Sequence, residues 1–167
     1  MEVEKAEIYH VDKNYLKYLH NVDYRVSLKY NNRPFVGIVT SIEGKKYVIP
    51  LTSQTTQNRA KEGKKKRSPL ITTYITETSG TEIANLLYNN MIPITDALVT
   101  KAVIDPKSDT YELNEIRYIR KNWDTIKNKA KKVYDLRKDK ASDHYNFLLK
   151  TCCDFERLEA AMKDYNE

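Results

Sequence analysis

The run from Pro34 to Leu51 constrains this chain more than any other stretch. Phe35, Val36, Ile38 and Val39 precede Glu43-Gly44-Lys45, and Tyr47, Val48, Ile49 and Leu51 follow it. β-Branched and aromatic residues on both sides of a glycine turn predict a β-hairpin. Its apolar residues fall on both faces, so both faces are expected to be covered, as in a small barrel. In an antiparallel pair the start of one strand and the end of the next share an edge. The hairpin is therefore expected to bring Arg33 near Thr52 and Ser53.

Around this hairpin the pattern predicts one domain over residues 1–167, of α+β class. A short strand at Glu7 to Val11 leads into a helix capped by Asp12, with Tyr15, Leu16 and Leu19 on its apolar side. Gln54 to Ser68 has almost no apolar residue and reads as a long mobile loop. Strand-like stretches follow at Leu70 to Thr78, Ile83 to Tyr88, Met91 to Ile94 and Leu98 to Ile104, with Pro93 marking an edge or irregular piece. Beyond Pro106 the chain turns helical, with Asp109 and Glu112 spaced for a capping box. Ile116, Ile119, Trp123, Ile126, Ala130 and Val133 then form one stripe along about five turns, predicting a long basic helix. A last helix is expected from about Asp154.

The charge is concentrated in two places. Residues 44–67 and 117–140 each carry +7, while the remainder carries −8, for a net +6. Two basic segments on an acidic protein favour a polyanionic partner, nucleic acid first and an anionic membrane surface second. No apolar run approaches the roughly 18 residues of a membrane span. The N-terminus alternates acid and base, so no signal peptide is expected. Cys152 and Cys153 are adjacent and poorly placed to bridge each other, which points to reduced thiols and a cytoplasmic location.

Many familiar sites are absent from the sequence. His10, His20 and His144 have no metal-ligand spacing, and the two cysteines lack a second pair, so no metal site is expected. The four glycines, at 37, 44, 63 and 80, form neither a dinucleotide fingerprint nor a phosphate loop, so no cofactor is expected. What remains is hydroxyls, amides, tyrosines and cations. That inventory suits RNA cleavage, because RNA carries its own nucleophile in the 2′-OH. The protein then needs only to align that hydroxyl, help remove its proton and stabilise charge on phosphorus. Thirteen tyrosines against three phenylalanines suit stacking on unpaired bases. For any single tyrosine, packing at the edge of the core is the simpler role.

Phe35-Val36-Gly37-Ile38-Val39 and Gly44-Lys45-Lys46-Tyr47-Val48-Ile49-Pro50-Leu51-Thr52-Ser53 resemble the signature of the type III toxin–antitoxin toxins, the ToxN, AbiQ and CptN group. The likeness continues in order through Lys13 to Leu19, Asn89 to Ile94, Ile119 to Asn122 and Cys153 to Phe155, and is nearest the CptN-like branch. It implies a compact, strongly bent antiparallel β-barrel core like that of the MazF/Kid toxins, decorated with helices. It also implies a sequence-selective, metal-independent endoribonuclease of phage defence that leaves a 2′,3′-cyclic phosphate and a 5′-OH. The partner implied is a small pseudoknot RNA antitoxin, cut by the toxin from a repeat transcript and closed with it into a cyclic assembly.

By position, the family's catalytic Ser and the Thr before it match Ser53 and Thr52, and its essential Lys falls on Arg33. Arginine is a poor general base but its fork suits two phosphate oxygens, so charge stabilisation is its expected role. The proton acceptor stays open among Ser53, Thr52, Lys29 and a tyrosine. Tyr15 and Tyr30 fall near tyrosines that the family keeps at the RNA groove. Lys64, Lys65, Lys66 and Arg67 are expected to hold RNA backbone, joined by Lys29, Asn31, Lys46, Arg59, Arg120, Lys121, Lys127 and Lys131. The competing expectation is a non-catalytic RNA-binding module on an SH3-like barrel. A membrane-surface or protein-interaction role lacks an apolar face beside the basic loop.

Overall fold

A computed structural model describes residues 6–28 and 35–165. Seven strands form one antiparallel sheet: β1 (Ile8–Val11), β2 (Val36–Ile42), β3 (Lys45–Thr52), β4 (Thr72–Thr76), β5 (Glu82–Leu87), β6 (Ile92–Pro93) and β7 (Val99–Lys101). Their order is β4-β5-β3-β2-β1-β7, with β6 also paired to β3. Six helices complete the α+β fold: α1 (Lys13–Val22), α2 (Thr56–Lys61), α3 (Thr110–Lys121), α4 (Trp123–Lys138), α5 (Tyr145–Thr151) and α6 (Phe155–Lys163). None of them is long and apolar enough to cross a membrane.

The β2–β3 hairpin is the axis of the sheet. Ile42 pairs with Lys45 across a two-residue turn, and Glu43 and Gly44 both have positive φ, 52° and 79°. Positive φ at both central positions is the turn geometry that matches strand twist, and Gly44 takes it without a Cβ penalty. Ile38, Tyr47, Val48 and Ile49 are fully buried, so the hairpin is covered on both faces as expected. The termini of β3 then diverge: Tyr47 and Val48 pair with β6, whereas Leu51 and Thr52 pair with β5. Gly37 is required by close approach, since a Cβ there would stand 2.4 Å from the Ile49 carbonyl oxygen.

The cap expected at Asp12 is present, and the last helix begins where expected, capped by Asp154. Asp12 accepts from the Tyr15 N–H (3.0 Å) and Asp154 from the Arg157 N–H (3.2 Å). The helices they start pack together through the Tyr18 hydroxyl, which donates to the Ala161 carbonyl at 2.7 Å.

Three expectations are corrected. The stretch from Gln54 to Ser68 is not a structureless loop, because it contains α2. Thr55 and Asn58 form a reciprocal capping box at its start. At its end Gly63 (φ 73°) lets the Gly63 and Lys64 N–H groups return to the Ala60 and Arg59 carbonyls, a Schellman closure. The long basic helix is two helices, because at Asn122 (φ −109°, ψ 22°) the chain leaves helical geometry. There the Asn122 side chain donates to the Tyr118 carbonyl at 2.8 Å and caps α3 from within. The apolar stripe survives the break, since Ile116, Ile119, Ile126, Ala130 and Val133 are all buried. Asp109 does begin α3, but its side chain makes no cap bond to that helix and accepts instead from the Asp105 N–H at 2.8 Å.

Candidate active site

The end of β3 is built as a fixed platform. Thr52 pairs with Asn85 of β5, and its Oγ1 accepts from the Gln54 N–H at 3.2 Å. Gln54 accepts from the Arg67 guanidinium (2.9 Å), which also donates to the side chain of buried Asn85 (3.2 Å). Asn85 donates in turn to Glu82 (2.9 Å), whose carboxylate also takes the Thr56 N–H at the start of α2 (2.7 Å). This chain of bonds ties both ends of the basic segment to β5. Ser53 stands exposed at its start.

Thr52 and Ser53 open on a cleft of about 390 Å³, within the range of small-ligand sites. Its other walls come from His10 of β1, Leu87 of β5, the stretch Ala102 to Ile104, and Asp109, Tyr111, Glu112 and Glu115 of α3 and its cap. No lysine or arginine lines it among the described residues. Glu115 is 4% exposed, and burial, then the neighbouring Glu112 carboxylate, push its carboxyl up to about 8. It is therefore mostly protonated at neutral pH. The His10 Nδ1 is buried with no hydrogen-bond partner among the described residues. An unpaired buried N–H is costlier than an unpaired acceptor, which favours the tautomer with its proton on Nε2. Tyr111 is fixed by its hydroxyl, which donates to the Ile83 carbonyl.

Of the residues singled out in the sequence, the structure brings Thr52 and Ser53 to the cleft and anchors Arg67 behind them. Arg33, Lys29, Tyr30 and Asn31 lie outside the described residues. Tyr15 is corrected from the groove to the core: it is fully buried and its hydroxyl donates to the Pro93 carbonyl at 2.5 Å, so no base can reach its ring. Lys65 and Lys121 are exposed, and Lys66 lies 4.9 Å over the Tyr74 ring. Arg59 donates to the Lys65 carbonyl and Lys64 pairs with Glu62 at 3.1 Å. The other cations already have carboxylates nearby: Lys46 with Asp96 (2.6 Å), Arg120 with Glu7 (2.7 Å), Lys127 with Asp124 (3.9 Å), and Lys131 with Glu43 (3.3 Å) and Asp135 (2.7 Å).

Sequence reasoning missed His10 and Glu115. A signal for the acids was present, because Asp109, Glu112 and Glu115 recur every third residue and so share a helical face.

Known proteins match the chain over nearly its full length. Residues 7–163 match the family model for the toxin ToxN of type III toxin–antitoxin systems. The endoribonuclease ToxN of Bacillus thuringiensis subsp. kurstaki is 28% identical over 178 residues, covering 98% of this chain and 86% of that protein. Among solved structures, a type III toxin selectively inhibited by a non-coding RNA pseudoknot superposes with a TM-score of 0.82 at 27% identity, covering 98% of this chain and 99% of that one. AbiQ, a lactococcal anti-phage endoribonuclease of the same type, gives 0.78 at 25% identity, covering 96% and 98%. The match runs through both helical caps, the hairpin and the Thr52–Ser53 platform, and the chain belongs to the ToxN family of type III toxin–antitoxin toxins.

Proposed function

We propose that this chain is an endoribonuclease toxin that cuts RNA at the Thr52–Ser53 platform and is held inactive by a pseudoknot RNA. The observation that carries the reading is the exposed Ser53 beside Thr52, at the mouth of a cleft, in a chain of this family. The 2′-OH attacks the adjacent phosphorus, and the products are a 2′,3′-cyclic phosphate and a 5′-OH. The substrate supplies the nucleophile, so no metal or cofactor is required. The hydroxyls of Thr52 and Ser53 donate to the phosphate oxygens as charge develops, and Arg33 is assigned to the same charge.

The exposed cations of the first basic segment, Lys64, Lys65 and Lys66 with Arg59, are assigned to RNA backbone, and Arg67 to holding their base in place. Lys29, Tyr30 and Asn31 beside Arg33 belong to the same assignment, with Lys121 on the second segment. The divergence of β3 between β5 and β6 supports a bent, barrel-like sheet within one domain of residues 1–167. The antitoxin is a repeat RNA that the toxin itself processes, and toxin and RNA close into a cyclic complex in the bacterial cytoplasm.

The deciding experiment compares wild type and Ser53→Ala on RNA in EDTA. Wild type is expected to leave cyclic-phosphate ends, and the variant to lose ~10²–10³-fold in rate, as for removal of one donor to a developing oxyanion. Equal rates would overturn the assignment of Ser53. Tight RNA binding by a wild type that never cuts would return the chain to a non-catalytic binding module.

A further inference from the structure

We propose that Glu115 is the general acid of this cleft, protonating the 5′ oxygen as it leaves phosphorus. The assignment rests on the endoribonuclease reading above and names the proton donor, a role that reading leaves unassigned.

Glu115 of α3 lines the same cleft as Thr52 and Ser53. It is more than nine-tenths buried, and burial and the Glu112 charge are what act on its carboxyl among the described residues. Burying a carboxyl costs stability, and a carboxyl raised by burial at a cleft wall is a candidate for proton transfer. Among the described residues, few charged or titratable groups line the cleft with it. Asp109, Tyr111 and Glu112 flank it on α3 and its cap, and His10 faces the cleft from β1. The stretch Ala102 to Ile104 is apolar, β3 offers only the two hydroxyls, and β4 (Thr72–Thr76) carries no charged residue. Among the described residues, no group of three or more His, Cys, Asp or Glu is placed to hold a metal ion. Burial and Glu112 both act to keep the proton on Glu115 at neutral pH. A neutral carboxyl admits a phosphate that a carboxylate would repel.

The step balances simply. The 2′-OH releases its proton to solvent as the 2′-O–P bond forms. The P–O5′ bond breaks, and Glu115 gives its proton to O5′, leaving a 5′-OH and a Glu115 carboxylate. Solvent reprotonates the carboxylate before the next turnover.

The test uses an RNA oligonucleotide carrying the cleavage site mapped for the wild type, made with oxygen or with sulfur at the 5′ bridging position. A thiolate leaves without being protonated, so the sulfur substrate needs no acid. With oxygen, the wild-type rate is expected to fall as pH rises through about 8, and with sulfur that fall is expected to vanish. Glu115→Gln is expected to slow the oxygen substrate ~100-fold or more, while cutting the sulfur substrate within about threefold of wild type. The wild-type comparison depends on no variant folding correctly. An alkaline fall shared by both substrates, or a Glu115→Gln enzyme that cuts the oxygen substrate at full rate, overturns the proposal. A wild type that cuts neither substrate overturns the endoribonuclease reading itself, so the two failures are distinguishable.

Discussion

The two ends of the β2–β3 hairpin are made of similar residue types and treat their charges in opposite ways. At the turn, the Glu159 carboxylate of α6 accepts from the Tyr47 hydroxyl (2.5 Å), the Tyr134 hydroxyl (2.8 Å) and Lys45 (3.1 Å). Beneath it the rings of Tyr47, Tyr134 and Phe155 pack with centroids 5.5–5.7 Å apart. At the open end, Glu115 is more deeply buried, and burial and the Glu112 charge act on its carboxyl. One carboxylate is satisfied and holds the fold together. The other lines the cleft on which the two hydroxyls open. The difference teaches that residue type does not separate structure from function here, and that satisfaction does.

The sharpest way to break the comparison is to damage both ends at once through Gly37, which pairs with Tyr9 and Pro50 between them. A methyl there meets the Ile49 carbonyl oxygen at 2.4 Å and the Val48 side chain at 2.8 Å. Backbone must shift on a fully paired strand, so Gly37→Ala is expected to cost about 3 kcal/mol. Denaturant unfolding measures it, and RNA cleavage should fall with it. A loss below about 0.5 kcal/mol would show that the hairpin flexes and that its two ends are not rigidly coupled.

Titration is the next largest test, because the two carboxyls pull stability in opposite directions. The folded pKa of Glu115 is raised from 4.5 to about 8. The folded state therefore holds a proton that the unfolded state releases, and stability declines as pH rises through that window. Between pH 6 and 9 the decline is on the order of 2–3 kcal/mol. Thermal melts of Glu115→Gln should flatten this alkaline arm. Burial alone would raise Glu159 as well, but Tyr47, Tyr134 and Lys45 together hold its carboxyl below its ordinary range. Its contribution is present above the ordinary carboxylate range and is lost as pH falls through the folded value. Glu159→Gln should flatten only the acid arm, and equal responses at both arms would erase the distinction between the two ends.

Removing the satisfied carboxylate outright comes next. Glu159→Ala strands the fully buried Tyr47 without its acceptor, at an expected cost of about 2 kcal/mol. Cleavage per folded molecule should be unchanged, which is the mirror image of Ser53→Ala, where rate falls and stability holds.

How much of this was legible in the sequence depended on how local the cause was. The hairpin and the Asp12 cap each follow from a few neighbouring residues, whereas the Thr52–Ser53 platform is completed by Arg67, Asn85 and Glu82. Tertiary bonds likewise help fix α2, whose apolar content is slight, and the end of α5. The Thr56 N–H reaches Glu82 across 26 residues. Asn89 takes the Thr151 carbonyl at the end of α5 across 62 residues. The apolar stripe gave no sign of the break at Asn122, because its flanking positions Ile119 and Ile126 stay buried through it. Tyr15 was read on the apolar side of its helix by periodicity and at the groove by family resemblance, and the buried side wins, with its hydroxyl on the Pro93 carbonyl. The acids of α3 had a readable spacing, but that they share a cleft with a hydroxyl pair some 60 residues earlier is a property of the assembled sheet.

The smallest effect is expected where charge is most conspicuous. Lys131 reaches Glu43 of the hairpin turn at 3.3 Å and Asp135, one helical turn on, at 2.7 Å. Two ion pairs on one ammonium suggest a strong clamp between α4 and the turn. All three side chains are 43–49% exposed, however, so water screens the attraction and ordering the long lysine chain offsets much of the rest. Lys131→Met keeps the aliphatic stem and removes only the charge. Its stability should stay within about 0.5 kcal/mol of wild type, with any difference fading in 1 M salt, where screening is nearly complete. A loss above about 1.5 kcal/mol that persists in salt would mean that the turn end depends on its surface charges as well as on the buried hydroxyls of Tyr47 and Tyr134. The contrast between the ends would then lie in the number of partners rather than in burial.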